Sequence, residues 1–498
     1  MKQLFRDSTF AIIFFLFCLV SLIPLFASHF FVSLDGPSHL YNAQLMNELW
    51  KENSFTAQFF QWNSFPPPNS LGHWLLQILL FVFPGFLAEK IFIALLILAF
   101  PFAGLKLISL SPERKWLVFL FFPLSFSVFL SLGFYNFLLA CILLLLLIVF
   151  ILKDRSNWNI KSSIALFVLW TALYFSHLVL FGLGLISVFV WLILKTVHEH
   201  KSVKVFFKQS LLYFIPAIPV LVLAFIYNTN QSYSDAHYLS LTAIGAMFSD
   251  VYLLKSYAYG EYLFNGFYEW ILLLGLIVYV WFRFKGRKDS MKILFFKFLF
   301  IVLLMLILVF PDSTYSAGFL TSRLCFLGLI CIVCILIFST IPFPKWILVV
   351  FLLVIHLKVN FARFQSIKDH AKQDSFMLKA QKLIETNSTL LELNFNSENG
   401  GHWMKGHYVC RLAQDGTVII LNNYEAIQSY FPIQWKDKGI IFDITNNPSN
   451  LEFEKLKPDY LFSRDYSDAS AEQLIQINMN YSKLIQSENF VLLKRKNK

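Results

Sequence analysis

Ser33-Leu34-Asp35-Gly36-Pro37-Ser38-His39-Leu40-Tyr41-Asn42-Ala43 begins a few residues beyond the apolar run 9–28. That run is long enough to span a bilayer, and Pro37 sits where the first turn of a helix over about 37–50 is predicted. Asp35 then stands at the positive end of this helix. It can cap the helix or present its carboxylate to a polar crevice, and the local pattern leaves both open. His39 lies one turn further along, near enough to the carboxylate to help orient it.

Outward from this stretch, composition sets the class. The 498 residues are 57% hydrophobic and 18% aromatic, and only 14% are charged. An ordinary soluble domain carries about 25% charged residues, so a single water-soluble enzyme is excluded. Most of the 58 Phe fall before residue 360, and mixed polar sequence follows. Runs near 9–28, 87–109, 116–132, 134–152, 162–175, 177–196, 209–227, 267–284, 292–310, 322–338 and 345–358 predict eleven crossings. The run 162–175 is short for a span and has to pair closely with its neighbour. The first run is too long for a cleaved signal core and reads as an uncleaved anchor.

The formal charge of +11 lies in alternate connections and does not point to nucleic acid. Lys2, Arg6, Arg114, Lys115, Lys153, Arg155, Lys161, 195–208 and 283–292 hold basic residues, whereas 29–86 has only Lys51 and 228–266 only Lys255. This asymmetry predicts a cytoplasmic N-terminus and, after an odd number of crossings, an extracytoplasmic tail. The domains are therefore 1–358, polytopic, with a first outer loop 29–86 that carries juxtamembrane helices, and 359–498, soluble. The fold class is an α-helical integral membrane protein with a small C-terminal extracytoplasmic α/β domain.

In that tail, a helix over 361–386, strands at Thr389–Phe395, Thr417–Leu421, Pro458–Phe462 and Phe490–Leu493, and helices at 403–414 and 470–485 are predicted. The tail carries no phosphate-cradle or nucleophile-elbow motif. Cys18, Cys141, Cys325, Cys331 and Cys334 fall in apolar runs and Cys410 stands alone in the tail, so no disulfide framework follows; Cys331 and Cys334 read as packing residues.

A second feature of the first loop is Pro66-Pro67-Pro68-Asn69-Ser70-Leu71-Gly72-His73-Trp74-Leu75-Leu76, followed by Phe83-Pro84-Gly85. The apolar part before Pro84 is too short to cross, and it reads as an amphipathic helix at the outer interface. This arrangement resembles the GT-C glycosyltransferases, polytopic enzymes that take a sugar from a polyprenyl-phosphate carrier. It is most similar to bacterial relatives of protein mannosyltransferases and lipid A aminoarabinose transferases. The resemblance covers residues 5–360: an Asp just after the first span, the long loop with juxtamembrane helices, the Pro-Pro…Trp-Leu segment, many spans and an outer tail.

The resemblance implies that Asp35 is the catalytic general base, drawing the proton from an acceptor hydroxyl during inverting transfer. The leaving phosphate calls for cations. Arg323 in Thr321-Ser322-Arg323-Leu324 and Lys90 near the end of another span are the candidates, both also suited to snorkelling. Asn136 in Gly133-Phe134-Tyr135-Asn136-Phe137 and His177 after Leu173-Tyr174-Phe175-Ser176 are candidate cavity-lining residues. In the loop 228–266, Asp235, His237, Asp250, Lys255, Glu261 and several Tyr suit sugar stacking or an interfacial belt, and Asp312 suits a turn.

Many relatives have Asp-Glu where this chain has Asp35-Gly36, and a basic residue where it has Phe65. No cofactor is certain; a divalent metal is the candidate, weakly supported because at Asp35 it would find one carboxylate where hard cations want several oxygen ligands. The expected partners are a polyprenyl-phosphate sugar donor, a glycan, lipid or protein acceptor, and the bilayer of a bacterial cytoplasmic membrane in the cell envelope. A transporter or flippase of lipid-linked glycans and a non-catalytic GT-C-like protein are the alternatives. The absence of an evident internal repeat disfavours the first, and the reduced acidic pair leaves the second open.

Overall fold

The apolar runs fold as helices because a backbone in hydrocarbon has to satisfy its own polar groups. In the computed structural model, described for residues 4–496 apart from 154–157, 230–235, 250–251, 257–258, 314–317, 396–405, 414–415 and 438–455, ten helices are long and apolar enough to cross a membrane. The eleventh predicted span is Ile160–Ser176, 17 residues long. It packs beside Leu178–His198, where Gly184 lets Trp170 and Leu173 approach closely. The chain divides into two compact units, 1–27 with 93–130 and 135–366, and 28–92 with 131–134 and 367–498.

In the first unit the expected span 116–132 lies in Pro112–Ser131, long and apolar enough to cross, but it is built of a 3-10 helix at Pro112–Phe121 and short α-helices at Phe122–Ser125 and Val128–Ser131. Pro123 removes a backbone donor in the middle of the run. The carbonyl of Phe126, left outside the helices, accepts from Arg363 Nη2 at 2.7 Å. Arg363 is itself buried and pairs with Glu261 at 3.0 Å. The basic connections meet one another. Lys115 pairs with Asp7, Arg114 donates to the Ile341 carbonyl, and Lys292 donates to the Leu110 carbonyl. Basic residues from connections predicted on one side of the membrane thus gather at one end of this unit.

The last span does not end at 358. Lys345–His370 is one uninterrupted helix, followed by a 3-10 turn and a helix at Asp374–Gln381, so the separate helix read over 361–386 is corrected. Nothing between Lys345 and His370 is Gly or Pro, and without a breaker the helix runs on.

The second unit joins the first loop to the tail. Strands β1 (Phe60–Trp62), β2 (Ser388–Asn394), β3 (Val418–Ile420), β4 (Ile433–Trp435), β5 (Tyr460–Arg464), β6 (Tyr481–Gln486) and β7 (Phe490–Arg495) form two sheets. The larger has the order β3-β2-β5-β7-β6, with β2 parallel to β3 and β5 and the β5/β7 and β7/β6 pairs antiparallel. The smaller pairs β1 of the loop with β4 of the tail. The helix expected over 470–485 stops at Asn480, and Tyr481–Gln486 is a strand. Its hairpin partner β7 offers a ladder of backbone hydrogen bonds that local helix propensity does not outweigh. Of the helix expected over 403–414, the described part holds a 3-10 helix at Tyr408–Leu412.

The loop helices are Gly36–Glu48 and Leu71–Leu80, near their predicted positions. The first is buried along almost its whole length. Its Tyr41 hydroxyl donates to the Val418 carbonyl and accepts from the Ile420 amide, both at 3.0 Å. Asn42 and Asn423 exchange side-chain hydrogen bonds at 2.9 and 3.3 Å. The second helix is two-faced: Gly72, His73, Leu76 and Gln77 are buried, while Ile78 and the following Phe81 and Val82 are exposed.

Candidate functional site around Asp35

Asp35 occupies the N-cap position of Gly36–Glu48, yet its side chain makes no capping hydrogen bond. Its backbone is in the helical region, unlike the extended geometry of a side-chain cap. The carboxylate is turned elsewhere. Oδ1 lies 3.5 Å from His407 Nε2, and the Tyr424 hydroxyl is hydrogen-bonded to the same side chain. The rings of His407 and Tyr424 stack with centroids 4.3 Å apart. Burial pushes the Tyr424 hydroxyl well above its ordinary pKa, and the negative charge of Asp35 adds to the effect. Burial pushes His407 down to about 4, so at neutral pH its ring carries no charge to quench the carboxylate.

The turn at Gly133 fixes where Asp35 stands. Leu34 and Asp35 donate their amides to the carbonyls of Ser131 and Leu132 at 2.9 and 3.1 Å. Gly133 has φ of +80°, and a Cβ there would lie 2.6 Å from the Gly36 nitrogen and 2.9 Å from that of Asp35. Only glycine fits both the left-handed conformation and the close approach. Gly133→Ala is therefore expected to lower the melting temperature and, by moving Asp35 through an ångström or less, to reduce any Asp35-dependent rate by up to about 100-fold. Thermal melting and turnover of the purified variant check this.

His39 is also held here. Its Nε2 is 3.0 Å from the Gly133 carbonyl and its Nδ1 2.6 Å from Glu425 Oε1. His73 Nε2 lies 2.9 Å from Glu425 Oε2. Burial alone would lower the His39 pKa, but the Glu425 carboxylate outweighs it, with help from Asp35 and the Gly133 carbonyl, and the pKa is raised. For His73 burial prevails and the pKa falls. Burial would raise Glu425, but the two imidazoles hold it far below the usual carboxylate range. The donor atoms of His39, His73 and Glu425 lie within 4.8 Å of one another, a group able to hold a metal ion.

The other predicted residues divide between the units. Lys90, in the second, donates to the Ser28 carbonyl at 2.5 Å. Arg323 and His177, in the first, meet at 3.0 Å through Nη1 and Nε2. The Arg323 guanidinium also sits over the Phe137 ring at 5.6 Å, and the same ring packs edge-on against His177. Asn136, next to Phe137, is buried. Asp312 accepts from the Thr321 amide at 3.0 Å and its backbone pairs with His237, which gives it a turn-forming role. Glu261 is taken by Arg363. Asp235 and Asp250 lie outside the described residues.

His407, Tyr424 and Glu425 were not legible as site residues, and His73 was legible only as part of the interfacial segment. All three tail residues lie more than 370 positions from Asp35 in a region without a motif, and only the packing of loop on tail brings them to it.

No protein-family model matches the chain, and no curated protein matches it. Among solved structures it is similar to ArnT from Cupriavidus metallidurans bound to undecaprenyl phosphate, with a TM-score of 0.56 at 10% identity over 98% of each chain. The apo ArnT structure gives a TM-score of 0.54 at 11% identity over the same shares. Likeness over the whole length at this identity is a statement about fold. The chain has the polytopic helical fold of these ArnT structures, with its small strand-containing region at the C-terminal end.

Proposed function

We propose that the protein transfers a sugar from a polyprenyl-phosphate-linked donor to an acceptor hydroxyl at the outer face of a bacterial cytoplasmic membrane. Asp35 is the general base and the anomeric configuration inverts. The observation that carries this reading is the Asp35 carboxylate: placed at a helix N-terminus, it makes no cap and instead faces a stacked His–Tyr pair. The shared fold supports a lipid-linked donor, since one of the similar ArnT structures holds undecaprenyl phosphate. The alternation of basic connections supports a cytoplasmic N-terminus and an outer tail.

In this reading Asp35 takes the proton, a neutral His407 sets no fixed positive charge against it, and the Tyr424 hydroxyl fixes its orientation. Arg323, with His177 beside it, binds the carrier phosphate; a guanidinium offers the forked donors that phosphate oxygens accept. Asn136, in the same unit as Arg323 and His177, lines the donor cavity, and Lys90 of the other unit is a separate candidate cation.

The test is binding of radiolabelled undecaprenyl phosphate to the purified full-length chain in detergent. The wild type is expected to bind it saturably, and Arg323→Gln to weaken binding about tenfold, as loss of a charge-assisted hydrogen bond would. A wild-type protein that binds no undecaprenyl phosphate would overturn the proposal.

A further inference from the structure

Glu425 is completely buried and stands between two buried imidazoles, each facing a different carboxylate oxygen. The three side chains come from separate elements: His39 from the helix Gly36–Glu48, His73 from Leu71–Leu80 and Glu425 from the 3-10 turn Glu425–Ile427. The phenyl ring of Phe431 closes over both imidazoles, with centroids 6.0 and 5.2 Å away.

The hydrogen-bond arithmetic of His39 is decisive. A backbone carbonyl can only accept, so Nε2, 3.0 Å from the Gly133 oxygen, carries the ring proton. Nδ1 then directs a lone pair at a carboxylate oxygen 2.6 Å away, and two acceptors cannot sit so close without a cation between them. Either a proton joins the ring or a metal lies there. His73 meets the other carboxylate oxygen through Nε2 at 2.9 Å. A proton would satisfy the His39–Glu425 pair by charging His39 alone, whereas one metal would satisfy both imidazole nitrogens and the carboxylate together.

We infer that His39, His73 and Glu425 form a binding site for a divalent transition metal, with zinc as the best match. Two imidazoles and one carboxylate are borderline-soft ligands suited to zinc, and they leave a fourth position for water or another donor. The Gly133 carbonyl on the distal nitrogen of His39 is the outer partner that metal-bound histidines need to fix their tautomer and orientation. Drawing the ligand atoms to about 2.1 Å from one ion takes side-chain movement of about an ångström. The metal pins both loop helices to the tail, and through Gly133 it also steadies the backbone that carries Asp35.

Metal content is read without any sugar donor, so its outcome is independent of the transfer reaction. The full-length chain, purified in detergent, loaded with zinc and desalted, is expected to retain zinc stoichiometrically by mass spectrometry. Exchange with cobalt should give the visible absorption of a four-coordinate site. Glu425→Gln and His73→Ala should each lower retained zinc at least about tenfold. His73→Cys, which keeps a zinc ligand, should restore it and add a thiolate-to-cobalt band. A chelator should lower the melting temperature of the wild type and leave that of Glu425→Gln unchanged. A folded wild type that holds no zinc and gives no cobalt spectrum overturns the inference. So does zinc retained equally by Glu425→Gln, which would place the ion elsewhere.

Discussion

Asp35→Asn is expected to lower the turnover of glycan transfer by about 100- to 10,000-fold, the range a positioned general base contributes. That corresponds to about 3–5 kcal/mol of transition-state stabilisation. Folding should be nearly untouched, and the structure explains why. The carboxylate accepts no capping hydrogen bond from the helix that follows it, so the helix loses no cap when the charge is removed. An Asn side chain can still accept from the Tyr424 hydroxyl through its amide oxygen, which preserves the local packing. It cannot accept a proton from an attacking hydroxyl. Carrier binding should also persist, because the phosphate in this reading is held by other groups. The expected signature is a collapse in kcat with KM for the donor little changed, measured in proteoliposomes with undecaprenyl-phosphate-linked sugars. Asp35→Glu keeps a base but pushes it forward by one methylene, and should recover part of the loss. Wild-type turnover by Asp35→Asn would remove the proposed base.

The transmembrane part was legible because its signal is local. A long apolar run has one folding solution in a bilayer, and the run 322–338, for example, appears as the helix Leu320–Phe338. Where a breaker lay inside a run, length gave the crossing but not its form: Pro123 and the Phe126–Ser127 break build the predicted span 116–132 from three short pieces, and the freed carbonyl is taken by Arg363 from far along the chain. The tail was legible where a strand carries an apolar run, as Leu390–Leu391 in β2 and Phe490–Leu493 in β7, and illegible in β6. That edge strand exposes most of its residues and has no apolar pattern, so only pairing with β7 defines it.

The site shows the same division. Asp35 stands out in sequence by the chemistry of a single residue beside a span. His39 was visible too, as a neighbour of Asp35, but its partners Glu425 and Gly133 were not, since the distances that join them arise only in three dimensions. Likewise Arg323 and His177 were separate candidates 146 positions apart, and the fold makes them a hydrogen-bonded pair.

Arg411→Met is expected to destabilise the unit that carries Asp35 by about 3–5 kcal/mol, the cost of leaving one member of a buried ion pair without its partner. Arg411 and Glu89 are both buried and form a forked pair, Nη1 to Oε2 at 2.6 Å and Nη2 to Oε1 at 3.0 Å. Nη2 also donates to the Phe31 carbonyl at 2.8 Å, and the guanidinium lies over the Phe30 ring at 5.2 Å. One side chain of the tail thereby ties down the segment leading to Asp35 and the start of the helix Gly85–Ile108. Removing the guanidinium strands a carboxylate where water does not reach, and it also releases a backbone acceptor. Arg411→Lys keeps the charge but cannot make the fork, so its loss should be smaller. Replacing both partners, Arg411→Met with Glu89→Leu, removes the stranded charge and should recover most of the stability, because two apolar side chains need no compensation there. Hydrogen exchange of β2 and thermal melting in detergent read the effect, and the double-mutant cycle isolates the coupling. An Arg411→Met protein as stable as the wild type would show that Glu89 finds water or a proton in place of its partner.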